Sequence, residues 1–167
     1  MHWETALSSS IEVAIGIAGF SGIIAVFGRK PGEGWDVDDV LRLQMLLTAS
    51  AIAALFSFLP FVLSDTDLSD EAVWRIGSSL QVLWFVSIST FRLRQASRVE
   101  ASPNFGMTRI MFPLFIVCTL LQIANAFIYT TAWLYVVGII YQLAVGFGAF
   151  VSLLLGRGIG VRKDEST

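Results

Sequence analysis

Five long apolar runs, separated by short polar breaks, take up most of the chain. They cover residues 7–27, 43–63, 73–91, 110–130 and 133–155, each close to the ~20 residues an α-helix needs to cross a hydrocarbon layer of ~30 Å. The alternating pattern of barrel strands is missing, and lipid satisfies no backbone polar group, so the runs predict helices. The breaks are too short to hold a soluble domain. The pattern therefore predicts an all-α, polytopic five-helix transmembrane bundle, one domain over 1–167, with 156–167 a flexible tail.

Composition agrees with that class. Hydrophobic residues make up 55% of the chain and charged ones 14%, against about 25% charge in soluble domains. With 11 basic and 13 acidic residues the net charge is −2, and no basic excess points to nucleic acid. The one cysteine, Cys118, lies in an apolar run and reads as a small buried hydrophobe.

Charge distribution gives an orientation. Arg29, Lys30, Arg42, Arg92, Arg94, Arg98, Arg109, Arg157, Arg162 and Lys163 all fall at one set of span ends. The other ends carry Glu4, Asp65, Asp67, Asp70 and Glu71, with Arg75 the single basic residue. Because cytoplasmic loops are enriched in Lys and Arg, the N-terminus is expected outside and the C-terminus in the cytoplasm. Residues 1–10 hold no Lys or Arg, unlike the positive start of a cleaved signal peptide, so the first helix is expected to be retained. Gly28–Gly34 reads as a turn, with Trp35 suited to the headgroup region. Asp36 reads as an N-cap, with Asp38 and Asp39 favourable in the first turn after it. The stretch Asp65-x-Asp67-x-Ser69-x-Glu71 echoes the start of a calcium loop but lacks its Gly and its closing Glu, so Ser69 is better read as another N-cap. Arg92–Arg98 is expected to prolong the third helix toward anionic headgroups.

The second and third runs form one hairpin (43–91) and the fourth and fifth another (110–155). Each opens on an arginine (Arg42, Arg109), and each returning helix begins near a tryptophan (Trp74, Trp133). Each returning helix also holds Gly-x-x-x-Gln, as Gly77–Gln81 and Gly138–Gln142. A parallel duplication about an axis normal to the membrane accounts for this; so does chance likeness between two apolar hairpins.

Candidate chemistry is sparse. Glu12 is the ionisable group set well inside a run, and steps of four and three residues join it to Gly16, Gly19 and Gly22. Small residues permit close helix approach, so this face is expected to pack into the bundle or an oligomer interface, with Glu12 directed away from lipid. Arg75, Gln81, Gln122, Asn125, Tyr129 and Gln142 are the polar residues able to join it. Gln122 and Asn125 share a helix face that Cys118 and Tyr129 continue. Gly138, Gln142 and Gly146 form a small-polar-small seam. Two readings follow: amides tying helices together, or an outward-facing polar site for a small solute, ion or proton.

Several chemistries lack their residues. The lone histidine, His2, leaves no pair for haem or zinc and no base for a serine nucleophile. Lys30 and Lys163 lie outside helix cores, which excludes a retinal Schiff base. There is no phosphate loop and no arginine series of a voltage sensor. A non-enzymatic protein without metal or cofactor is expected. The string Ala18-Gly19-Phe20-Ser21-Gly22-Ile23, followed by a basic turn and an Arg-led second helix, resembles small multi-pass inner-membrane proteins of bacteria with no assigned activity. That resemblance implies a bacterial cytoplasmic membrane and transfers no functional residue. Two functions are then expected: an oligomeric channel or transport component around Glu12, or a scaffold, sensor or accessory subunit acting through a protein partner.

Overall fold

The computed structural model describes residues 3–27, 37–96 and 105–160, with side chains for 3–23, 40–90 and 111–154. The described residues form five helices: α1 Trp3–Phe27, α2 Val37–Ser64, α3 Asp70–Ala96, α4 Phe105–Ala124 and α5 Ala132–Gly160. A π-turn at Asn125–Tyr129 ends α4. Each expected run thus corresponds to a helix that begins one to six residues earlier, and the fourth ends as α-helix at Ala124 before the π-turn. The caps expected around Asp36 lie outside the residues described here.

Four helices are long and apolar enough to cross a membrane, over Trp3–Ile23, Val40–Ser64, Met111–Tyr129 and Ala132–Leu154. The segment of α3 expected to span is not among them, because Arg75, Ser78, Ser79, Gln81, Ser87, Ser89 and Thr90 dilute its apolar character.

Two tight turns lie at one end of the bundle. At the first, Thr66 N–H donates to the Leu63 carbonyl at 3.1 Å, and the Ser69 hydroxyl accepts from Ala72 N–H at 3.3 Å. Ser69 is therefore the N-cap of α3. At the second, Thr130 adopts a left-handed backbone with φ 48°. Aromatic rings tie the helix starts together at this tight-turn end. Trp3 meets Trp74 edge-on at 4.9 Å, and Trp74 lies 5.7 Å from Tyr135. The helices α1, α3 and α5 accordingly run in one direction, with α2 and α4 returning.

The central helix is α5. Half of its span is buried, against 22% for α1 and α4, and Tyr135, Ile139 and Leu153 are fully enclosed. Apolar side chains on the outer surface, such as Ile15, Phe20, Leu55, Leu83 and Phe112, are exposed, which suits lipid contact.

The packed face of α1 differs from the one expected. Leu7, Ser10, Ala14 and Ser21 are buried, while Glu12, Gly19 and Gly22 are exposed and Gly16 is half-buried. The reason is that α1 carries a second stripe of small side chains. Ser10 and Ser21 donate to the Ala6 and Ile17 carbonyls of their own helix, so each hydroxyl is satisfied before packing begins and presents a small, nearly apolar surface.

Candidate functional site

The polar residues gather around Gly138, where α3, α4 and α5 meet. A Cβ at Gly138 would run into Gln81 Oε1 and lie 2.7 Å from Gln122 Nε2. Only glycine leaves room for both carboxamides against α5. Gln122 donates to the Leu134 carbonyl at 2.5 Å and Gln81 to the Tyr135 carbonyl at 3.4 Å. Both glutamines are fully buried, and the Oε1 atom of each has no protein partner.

Asn125 closes the α4–α5 connection. Its Nδ2 donates to Ser78 Oγ at 2.7 Å and to the Thr131 carbonyl at 3.0 Å, while its Oδ1 accepts from Thr131 N–H at 2.7 Å. One side chain thereby fixes the turn and pins it to α3. The widened turn also explains a misplaced residue. Cys118, Gln122 and Asn125 share a buried face, but Tyr129, expected to continue it, is 59% exposed. Between Asn125 and Thr130 the hydrogen bond spans five residues, so the helical phase shifts and Tyr129 rotates off the face.

Tyr135 was not anticipated from the sequence. Its hydroxyl donates to the Phe56 carbonyl of α2 at 2.6 Å. Phe56 stands four residues before Pro60, which lies inside α2 and has no N–H to give, so that carbonyl has lost its helical partner. The proline was the readable signal; which side chain would reach the carbonyl was not. Gly77 accommodates the same ring, since a Cβ there would lie 2.7 Å from Tyr135 Cε2.

Gln142 is buried at 4% exposure, and neither its Nε2 nor its Oε1 has a protein partner. Gly146, one turn further along α5, sits against α2; a Cβ there would be 3.4 Å from Ser50 Oγ. Gly138, Gln142 and Gly146 are all buried on α5, but the two glycines face different neighbours, Gly138 the amides of α3 and α4 and Gly146 the α2 helix. Ser50, Ser57 and Ser78 are also buried and were not picked out from the sequence.

Besides Tyr129, two residues expected in this cluster lie apart from it. Arg75 and Glu12 are both exposed. From the level of the Trp3–Trp74 contact, Glu12 lies about 13 Å along α1 and Arg75 less than 2 Å along α3, at 1.5 Å per residue. Arg75, one of the residues able to join Glu12, does not pair with it. The tryptophans that suggested a duplication also part company, Trp74 being buried and Trp133 57% exposed. Among the described residues, no group of three or more His, Cys, Asp or Glu side chains is placed to hold a metal. Comparison with protein-family models, curated protein sequences and solved structures returned no match.

Proposed function

We propose that this chain is a non-enzymatic, multi-pass protein of the bacterial cytoplasmic membrane, an accessory or scaffold subunit that assembles through the outward face of α1. The observation that carries this reading is Glu12, exposed near the middle of an apolar span. A carboxyl group at that depth is expensive against lipid, and such groups ordinarily face protein or water. Beside it Gly16, Gly19 and Gly22 leave open space, with nothing within 4 Å of a Cβ. A second transmembrane helix lying on that path gains close van der Waals contact and removes Glu12 from lipid.

The transport reading moves to the same face. Tyr135, Ile139 and Leu153 fill the middle of the bundle, so a polar path involving Glu12 runs between subunits. In both readings all five helices cross the membrane, with the N-terminus outside on the basic-residue distribution.

The test is Gly19→Leu, purified from native membranes in a mild detergent. A Cβ at Gly19 meets no neighbour within 4 Å inside the bundle, so the chain still folds while the particle becomes smaller. A mutant particle of wild-type size identifies the face as lipid-exposed and overturns the reading. Co-isolation of two differently tagged copies separates self-association from a different partner.

A further inference from the structure

We propose that the seam between α2 and α5 is a water-binding site, centred on the Gln142 carboxamide between Ser50 and Ser57. The first ground is placement. The two helices are antiparallel here, with Tyr135 reaching Phe56 and Gly146 lying against Ser50. At 1.5 Å per residue, Gln142 stands about 6 Å from the level of Gly146, and Ser57 about 10 Å from that of Ser50. Along the helix axis Gln142 therefore stands at a level between the two serines, within about a turn of each.

The second ground is a contrast with five other helix serines. Ser10, Ser21, Ser79, Ser87 and Ser89 all donate to the carbonyl four residues back. The Ser50 and Ser57 hydroxyls do not, although they are 1% and 0% exposed. Together with both polar atoms of Gln142, four unpartnered atoms share this seam. Across Gly138 lie two more, the Oε1 atoms of Gln81 and Gln122. A buried polar atom without a partner is costly, and native interiors rarely leave one.

Chemistry selects the ligand. Both donors and acceptors are present, no carboxylate is among the unpartnered atoms, and one of them is an amide N–H2. A bare cation would lack compensating charge. Water supplies both donor and acceptor and forms about three bonds, so about two molecules serve the six atoms. At the tight-turn end, polar Thr131, Asn125 and Ser78 join the α4–α5 turn to α3. Beyond Ser50, the fully buried Leu46 and Leu153 close the other direction.

The wild-type protein in lipid nanodiscs, labelled with 15N in its glutamine and asparagine side chains, tests the proposal directly. Magnetisation is transferred from water protons to the side-chain amides, with the Asn125 and Gln122 amides as internal references. The expected result is transfer to the Gln142 amide and its exchange in D2O. A Gln142 amide that receives none and stays protonated means a dry seam and overturns the proposal. Gln142→Met gives an independent sign. In a dry seam, removing an orphan amide raises the melting temperature; in a hydrated one, the bound water loses partners and the temperature falls. Where Gln142→Met does not fold, the wild-type measurement decides.

Discussion

Pro60 removes one amide donor from α2, and the carbonyl it abandons is capped from across the bundle by Tyr135. Two substitutions far apart in sequence should therefore be coupled. Tyr135→Phe leaves the Phe56 carbonyl unpaired in a water-poor interior, a loss of about 1–3 kcal/mol. In a Pro60→Ala background the residue at 60 regains its N–H and can serve that carbonyl, so the same change at Tyr135 should cost clearly less. A double-mutant cycle by reversible unfolding in detergent measures the coupling, and equal costs in the two backgrounds would disprove the capping role. A second residue-level prediction concerns Thr130. Its φ of 48° is a region that β-branched side chains avoid and asparagine tolerates. Thr130→Asn should raise stability by roughly 1 kcal/mol, read as an increase in melting temperature.

At the scale of the element, the helices and the Ser69 cap were legible in the sequence because both depend on local chemistry. Run length fixes a span, and a hydroxyl before an acidic first turn marks a helix start. The inward face of α1 was not legible. In a soluble protein a polar face identifies the outside, but a helix surrounded by lipid is apolar all round. Two stripes of small residues, Ser10–Ala14–Ser21 and Gly16–Gly19–Gly22, then compete with no hydrophobic pattern to choose between them. The π-turn was hidden for a related reason, since the residues that set it, Asn125 and Thr131, act through a side-chain bond invisible to periodicity. The structure sorts the glycines by what lies over them. Gly138→Ala should displace Gln81 and Gln122 from their bonds to the Tyr135 and Leu134 carbonyls and cost about 1–3 kcal/mol as overpacking. Within the single chain a Cβ at Gly19 faces open space, so in the dissociated protein Gly19→Ala should be neutral or stabilising by up to ~1 kcal/mol through helix propensity. Parallel thermal melts of the two variants make the comparison.

For the whole molecule, α3 decides the topology. It is the most polar of the five helices, yet its contacts follow α4 along much of its length in antiparallel fashion. Ser78 meets Asn125 at the tight-turn end, and Phe85 meets Phe115 at 5.8 Å deeper in. Its polar side chains are largely spent internally: Ser78 and Gln81 face the bundle, and Ser79, Ser87 and Ser89 bond to their own backbone. An α-helix that satisfies its own polar groups can cross lipid despite a modest mean hydropathy. If α3 crosses, positions before and after it lie on opposite sides of the membrane. Single cysteines replacing Asp67 and Ser97, in a Cys118→Ser background, should then react with an impermeant maleimide in a mutually exclusive way. The first should label only in intact cells' outer medium and the second only after the cytoplasmic side is opened. Labelling of both from the same side would mean that α3 does not cross, leaving four spans and placing α4 and α5 in inverted orientation relative to the basic-residue distribution. The reverse exclusive pattern, Ser97 outside and Asp67 inside, would keep the five crossings and invert the whole bundle.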